Sequence, residues 1–335
     1  MVHRISLATT YLQSFVITHD GIHRLRGHAT GFFVRVKGAI LLLTNWHVVS
    51  GLDPANPSEQ RSTAPSPHYL KANVLKGTML SELTIPLYGS KMALLWREHP
   101  AGRAVDLAII QLPEGLASYF NFHDIYSVED TTEISEMVGR DVFVVGFPFS
   151  RAELQEGFGA NVPHFLPVWK RGTIATEPKV RLGDRVILID TLSRPGMSGA
   201  PVFMAHDSQE YLPKSKKAAD AMRRINESGP AEIDDALQLL ADADLENAKK
   251  VLVKRFKFLG IYSGTIGSTK LAEVALGKCW HADVVREAIE QARDGIMEFH
   301  APSENEHYTK FLNRGQASIL EIRDKDGNVV SRERY

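Results

Sequence analysis

The chain consists largely of short apolar runs separated by turn-forming residues, and this pattern constrains the fold more than any other feature. Runs that alternate apolar and polar residues between Gly, Pro, Asn or Asp clusters predict short strands. In the first part of the chain these are Tyr11–Thr18, Ala29–Val36, Ala39–Asn45, Lys71–Leu75, Leu83–Leu87, Lys91–Trp96 and Ala104–Leu112. Such a succession of strands is typical of a β-sandwich or β-barrel.

A second group of strand-like runs follows further along the chain. It comprises Asp141–Pro148, Val168–Ala175, Val186–Leu192, Pro201–Met204 and Phe258–Tyr262. In the first group, the Pro- and Ser-rich stretch Asp53–His68 lies between the runs Ala39–Asn45 and Lys71–Leu75 and predicts a surface loop. The fold class predicted from these patterns is mainly β, with two barrels in sequence.

Ser198 lies between two glycines in a predicted turn that joins two strands, in the segment Gly196-Met197-Ser198-Gly199-Ala200-Pro201. A tight glycine-rich turn can leave a serine hydroxyl exposed and aim its backbone N–H groups outward. A serine hydroxyl is a weak nucleophile at neutral pH, so this chemistry needs an adjacent general base.

Two upstream segments supply partners for that serine. His47 stands in Thr44-Asn45-Trp46-His47-Val48, and Asp106 begins Asp106-Leu107-Ala108 before an apolar run. His, Asp and Ser, each beside a predicted strand and in this chain order, match the order of an acyl-transfer triad.

With these motifs and the lead-in Gly31-Phe32-Phe33-Val34, the chain resembles the trypsin-like serine peptidases of the chymotrypsin fold, in particular the bacterial and intracellular members. The resemblance covers roughly residues 10–290, apart from an insertion. It implies two six-stranded antiparallel β-barrels with the site in the cleft between them. It also implies a serine endopeptidase that works through an acyl-enzyme.

The resemblance assigns a role to each of these residues. His47 is the general base, Asp106 orients it, and Ser198 is the nucleophile, with the N–H groups of Gly196 and Ser198 as the oxyanion hole. Met197 stands where secreted members carry the aspartate that pairs with a new N-terminus after zymogen cleavage, so no such activation is expected. The substrate pocket is expected at Leu192, Ser193, Tyr262, Ser263 and Gly264. Leu192 at its floor carries no charge, which favours apolar or small residues at P1.

Three regions are expected along the chain: an N-terminal barrel over residues 1–125, a C-terminal barrel over 126–295, and an extension over 296–335. The second barrel is interrupted at 207–256, where Lys214–Asn226 and Ala231–Phe256 have the composition and apolar spacing of a helical hairpin. This hairpin either packs on the barrel or serves as a lid or partner-docking element. Ala282–Arg293 predicts the terminal helix, and residues 317–330 predict a small β-hairpin.

Composition limits the remaining function classes. The net charge of −1 favours neither nucleic acid nor a membrane surface as a partner. The only cysteine, Cys279, cannot form an internal disulfide, and the N-terminus has no apolar core typical of a secretory signal, so a cytoplasmic location is expected. No metal-ligand spacing or cofactor-binding motif was found, so neither group is expected.

Peptide or protein substrates are the expected partners. Two other functions stay open at this point. A catalytically silent peptidase fold could bind a protein partner through the helical insertion, and an esterase would use the same acyl chemistry.

Overall fold

The computed structural model describes residues 2–56, 66–77, 79–89, 92–128, 135–158, 166–180, 185–192, 194–212, 249–265, 276–295, 306–313, 319–323 and 329–334. The chain is mainly β, as the strand pattern predicted. In chain order the strands are β1 (Thr9–Ile17), β2 (His23–Val36), β3 (Ala39–Thr44), β4 (Tyr69–Lys76), β5 (Met79–Pro86), β6 (Arg97–Glu98), β7 (Ala108–Gln111), β8 (Asp141–Gly146), β9 (Val168–Ile174), β10 (Val186–Asp190), β11 (Pro201–Leu212), β12 (Lys249–Thr265), β13 (Leu276–His281), β14 (Arg293–Asp294), β15 (Ile319–Arg323) and β16 (Val329–Arg334).

The helices are short. They are α1 (Arg4–Ala8), α2 (Trp46–Ser50), α3 (Leu116–Tyr119), α4 (Arg151–Phe158), α5 (Ala282–Gln291) and α6 (Glu306–Asn313), with single 3₁₀ turns at Gly102–Ala104 and Tyr126–Val128. The predicted terminal helix is therefore α5, which ends at Gln291. None of the helices that the structure describes is long and apolar enough to cross a bilayer.

The first sheet runs in the order β14-β6-β7-β3-β2-β1-β4-β5-β15-β16, with antiparallel pairing throughout. It has ten strands in the described part of the chain, against the predicted six: the seven strands β1–β7, and three from the C-terminal end, β14, β15 and β16, which add to its two edges. Its core is built from alternate side chains of these strands, among them Leu42, Leu70 and Ile110.

The second sheet is a closed barrel in the order β10-β13-β12-β11-β8-β9. Its core includes Val144, Ile187 and Met197, all essentially buried. Closure requires β13, which pairs with both β10 and β12. The sequence patterns did not predict β13, because its Gly277, Lys278 and His281 interrupt the apolar run. Six strands close this barrel, as expected.

The C-terminal extension is part of the first sheet and its core. The pair β15 and β16 forms the predicted hairpin, and Leu320 in β15 aligns with Leu83 in β5. Helix α6 places Tyr308 and Phe311 in the same core as the strands before residue 125. These residues therefore add two strands to one edge of the first sheet and two side chains to its core.

Two secondary-structure predictions differ from the structure. Met92–Trp96 forms no strand apart from a single bridge between Tyr88 and Leu94, and the paired residues come later, at Arg97–Glu98. Residues 207–212 and 249–256, predicted to belong to the helical insertion, continue β11 and β12. In 250–255 exposed residues alternate with partly buried ones, and this period of two outweighs the helical spacing read from the sequence.

Residues Ala205–Phe256 form a compact unit of their own. Within it Lys254 Nζ donates a hydrogen bond to Asp207 Oδ1 at 2.7 Å. The predicted hairpin helices over residues 213–248 lie outside the described residues.

Candidate active site

His47 and Asp106 are in direct contact and both are buried. His47 lies in α2, immediately after β3, and Asp106 lies in the segment before β7, the strand that pairs with β3. The imidazole Nδ1 is 2.8 Å from Asp106 Oδ2, and the backbone N–H of His47 donates to Oδ1 at 2.9 Å. The exposed fractions are 8% for His47 and 1% for Asp106. Both carboxylate oxygens therefore hold the same histidine.

Asp106 has a further partner in Ser263, whose hydroxyl donates to Oδ2. Burial opposes ionisation of the carboxyl group. The charge of His47 and the hydrogen bonds from His47 and Ser263 outweigh that effect and hold the pKa of Asp106 well below its ordinary value. Asp106 is therefore a buried carboxylate that stays ionised and keeps the imidazole in one orientation.

The loop that carries Ser198 depends on two glycines with positive φ. Gly196 has φ 91° and Gly199 has φ 83°. A Cβ on Gly196 would overlap the carbonyl oxygen of Phe147 and the ring of His28, and one on Gly199 would overlap Thr30 O. The sequence therefore needs glycine at both positions, on conformational and on steric grounds.

Thr30, on β2, connects this loop to the first sheet by hydrogen bonds. Its N–H donates to Ser198 O at 2.8 Å, and its hydroxyl donates to Gly196 O at 2.7 Å. Its own carbonyl accepts a hydrogen bond from Thr44 Oγ1 at 2.8 Å, three residues before His47. The sequence analysis did not identify Thr30 as part of the site, because a threonine in a strand carries no sign of its distant partner.

Strand β12 contacts both halves of the site through adjacent residues. Tyr262 accepts a hydrogen bond from Gly199 N at 2.9 Å and donates its own N–H to Ala200 O at 2.8 Å. The next residue, Ser263, binds Asp106. These contacts bring the Ser198 loop beside the His47–Asp106 pair, and the three predicted catalytic residues therefore lie in one region.

The Ser198 loop has its polar groups available. Ser198 is partly exposed. Within the described part of the chain, its hydroxyl makes no hydrogen bond to His47, and the N–H groups of Gly196 and Ser198 donate to no acceptor. Two adjacent donors that are not used inside the protein are able to bind a negatively charged oxygen.

The predicted pocket residues have different environments. Leu192 is 74% exposed, and its carbonyl oxygen accepts a hydrogen bond from Lys170 Nζ. Ser193 lies outside the described residues. Gly264 has φ 84° and open space where a Cβ would be. The exposure of Leu192 differs from the enclosed floor that the sequence predicted.

The environments of Tyr262 and Ser263 also differ from those expected of residues that only line a substrate pocket. The Tyr262 ring is buried in the core of the second barrel, whereas the Ser263 side chain faces Asp106. The reason is the alternation of a β-strand, in which neighbouring side chains point to opposite faces. The role of Ser263 as a partner of Asp106 was missed, because the sequence offers no signal for a contact between residues so far apart.

Met197, the residue before Ser198, is 1% exposed and packs in the core of the second barrel. It is apolar and forms part of the barrel interior. Among the described residues, no group of three or more His, Cys, Asp or Glu side chains is arranged to hold a metal ion.

Comparisons with known proteins bear on the identity of the chain. Residues 29–209, more than half of the chain, match the family described as trypsin-like peptidase domain. No curated protein matches the chain significantly.

Solved structures with a similar arrangement include the Rv3671c protease in an inactive form, with 16% identity, a TM-score of 0.39, and coverage of 85% of this chain and 89% of that one. A mutant of Rv3671c from M. tuberculosis H37Rv, also in an inactive form, gives 15% identity, a TM-score of 0.38, and coverage of 86% and 87%. Similarity at this level does not support an assignment.

The domain match covers His47, Asp106 and the Ser198 loop, and the two sheets that carry them are those expected from the motifs. The chain belongs to the trypsin-like peptidase domain family.

Proposed function

We propose that the protein is a serine endopeptidase that hydrolyses peptide bonds through an acyl-enzyme. Membership of a peptidase family already implies peptide or protein substrates. The observation that carries the proposal is the buried 2.8 Å contact between His47 Nδ1 and Asp106 Oδ2, beside a loop that presents Ser198.

In the proposed reaction His47 is the general base. With Nδ1 held by Asp106, the other ring nitrogen takes the proton of Ser198 as its oxygen attacks the carbonyl carbon. The ionised Asp106 stabilises the imidazolium that results. His47 then gives this proton to the leaving amine, and a water molecule repeats the attack to release the acid and restore Ser198.

Gly196 and Ser198 complete the proposed machinery. Their N–H groups donate to the oxygen that becomes negatively charged in the tetrahedral intermediate, and the loss of one such donor typically costs about 3–4 kcal/mol of barrier. The support for this role is that neither N–H donates to an acceptor among the described residues, while Thr30 holds the Gly196 carbonyl. Because Met197 is apolar and buried, we propose that the activity needs no N-terminal cleavage.

A finer proposal concerns specificity. We infer a preference for apolar or small P1 residues, because Leu192 carries no carboxylate to pair with a lysine or arginine. The support is this uncharged side chain, and Gly264, expected beside the same pocket, has open space where a Cβ would be.

Covalent labelling tests the proposed nucleophile. A fluorophosphonate should label the wild type at Ser198, and Ser198→Ala should lose the label. His47→Ala should slow labelling by about a thousandfold or more, because these residues act as a unit. Ser118→Ala, at an exposed serine, is the matched control and should label like the wild type.

The same experiment separates the competing functions. Equal labelling of wild type and Ser198→Ala would remove Ser198 as nucleophile and favour a silent scaffold that binds a partner through residues 207–256. Labelling without cleavage of any peptide in a library, but with ester hydrolysis, would favour an esterase. Peptidyl phosphonates with leucine or arginine at P1 measure the preference, and faster reaction of the arginine probe would contradict the inference from Leu192.

We also propose a cytoplasmic location, on the support of a single cysteine, Cys279, which is buried. Cell fractionation tests it, and recovery of the protein outside the cell would contradict it.

A further inference from the structure

Glu98 is a buried carboxylate that the proposed reaction does not use. It lies in β6, is 1% exposed, and each of its oxygens has a partner. Oε1 accepts hydrogen bonds from Arg293 Nε at 3.2 Å and Nη2 at 3.0 Å, and Oε2 accepts one from Trp46 Nε1 at 3.1 Å. A buried carboxylate is tolerated only when it is paired, so Glu98 holds Trp46 and Arg293 in fixed positions.

Trp46 connects this carboxylate to the proposed general base. It is the residue before His47 in the short helix α2 and is itself 2% exposed. Its ring meets Trp96 edge-on, with 6.4 Å between centroids. Because His47 follows in the same helical turn, the position of Trp46 limits where the imidazole can lie.

Arg293 connects the same carboxylate to the segment before Asp106. Its guanidinium group packs against Gly102, where a Cβ would overlap Nη2. Gly102 has φ 62° and begins the 3₁₀ turn at Gly102–Ala104, and its carbonyl accepts a hydrogen bond from Val105 N at 3.1 Å. Arg293 therefore contacts the segment that ends at Asp106.

The backbone around Arg293 supports this arrangement. Arg293 in β14 aligns with Glu98 in β6, and Glu98 aligns with Ala108 in β7, two residues after Asp106. Six residues earlier along the chain, Glu287 of α5 lies 3.3 Å from the Nε2 atom of the buried His99. The segment from Glu287 to Arg293 thus contacts β6 of the first sheet and the residue after it, at Glu98 and His99.

We propose that Arg293 is a positioning residue, which acts through Glu98 and Gly102 to hold His47 and Asp106 in their relative geometry. The inference rests on the proposed function, since it concerns the same pair of residues. Arg293 touches neither residue of the pair. Its effect passes through Trp46 on one side and through the 3₁₀ turn on the other.

The test compares two arginines of equal exposure. Arg293→Ala should slow fluorophosphonate labelling of Ser198 by about tenfold to a hundredfold, the effect of a small misplacement of catalytic groups. Arg286→Ala is the matched control: its side chain is 45% exposed against 46% for Arg293, and it pairs with Asp283 on the surface of α5. It should label like the wild type. Arg293→Lys, which can donate to Glu98 but not through two nitrogens, should fall between the wild type and Arg293→Ala.

A second readout does not depend on activity. The proton between His47 Nδ1 and Asp106 gives a separate signal in proton NMR, which His47→Ala identifies by its loss. In Arg293→Ala this signal should broaden and move, whereas Arg286→Ala should leave it unchanged. A wild type that shows this signal but is not labelled would contradict the proposed function. The effect of Arg293→Ala on the signal would still test whether Arg293 positions His47 and Asp106.

Trp46→Phe covers the case in which Arg293→Ala does not fold. It removes the Nε1–H donor to Glu98 and keeps an aromatic ring against Trp96. It should slow labelling and perturb the same signal. Where Arg293→Ala does fold, the double variant Trp46→Phe/Arg293→Ala should show little further loss, because both changes break one connection. A wild-type rate and an unchanged signal in Arg293→Ala, or in Trp46→Phe where the former is unfolded, would overturn the proposal.

Discussion

The Asp106 carboxylate shows how single contacts decide the chemistry of this site. Burial alone would favour the neutral acid, in which the carboxyl group could no longer stabilise an imidazolium. His47 and Ser263 reverse this preference by charge and by hydrogen bonding. The ionisation of Asp106 therefore depends on His47, which follows β3 of the first sheet, and on Ser263, which lies in β12 of the second barrel.

Ser263→Ala should reduce the proposed peptidase activity by about tenfold or more, because a hydrogen bond to a charged group contributes roughly 1.5–3 kcal/mol. The pKa of Asp106 should rise toward its ordinary value, since one of the interactions that lowers it is lost. The measurement is kcat/KM for a peptide substrate as a function of pH, which should be lower for Ser263→Ala than for the wild type across the range. Ser263→Thr keeps the hydroxyl group and should retain more activity. Equal profiles for Ser263→Ala and the wild type would contradict the role of this hydroxyl.

Among the secondary-structure elements, α6 shows most clearly how a segment remote in the sequence adds to the core of the first sheet. Tyr308 donates its hydroxyl to Tyr88 O at 2.6 Å and accepts from Tyr88 N at 3.2 Å. Phe311 stacks on Tyr69, with 5.0 Å between ring centroids. An eight-residue helix is too short to be stable by itself, so its apolar face and these two backbone contacts hold it in place.

Tyr308→Phe should lower the free energy of unfolding by about 1–3 kcal/mol, because the ring stays while two buried backbone groups of Tyr88 lose their hydrogen bonds to the Tyr308 hydroxyl. Tyr308→Ala should lower it by about 3–5 kcal/mol, since it also leaves a cavity. Urea unfolding of each variant gives these values. Tyr119→Phe, at a 52% exposed tyrosine, is the control and should have little effect. An unchanged free energy of unfolding in Tyr308→Ala would show that α6 does not stabilise the first sheet.

For the molecule as a whole, stability should depend on pH through His68. This histidine is 3% exposed, and its Nδ1 accepts a hydrogen bond from Ile17 N at 3.1 Å. Burial first, and then the charges of His19 and His23, lower the pKa of His68 from 6.5 to about 4. The folded protein therefore keeps His68 neutral at pH values where the unfolded chain takes up a proton.

The contribution of His68 is complete above pH 6.5 and is lost as the pH falls to about 4, because protons then bind preferentially to the unfolded chain. The loss should reach roughly 3 kcal/mol, since each pKa unit corresponds to about 1.4 kcal/mol. Urea unfolding of the wild type at several pH values measures it. His68→Asn, which can still accept from Ile17 N, should flatten this dependence, whereas the exposed His206→Gln should not. The same slope in His68→Asn and the wild type would assign the pH dependence to other groups.

The sequence by itself determined the mainly β fold class and most of the strands, and it predicted which residues form the candidate site. These features depend on neighbours in the chain: alternation along a strand predicts a buried face, and glycine at 196 and 199 predicts a turn with positive φ. The hairpin of β15 and β16 was predicted for the same reason, because its two strands lie only a few residues apart in the sequence.

Only the tertiary structure decided which distant groups meet. Ser263 reaches Asp106 across 157 positions and Arg293 reaches Glu98 across 195, and no local pattern marks either pair. The assignment of residues 249–256 to β12 was also decided by the fold, since their apolar spacing fits a helix as well as a strand. Propensity and periodicity act over a few residues, whereas pairing and burial depend on which surfaces come together when the whole chain packs.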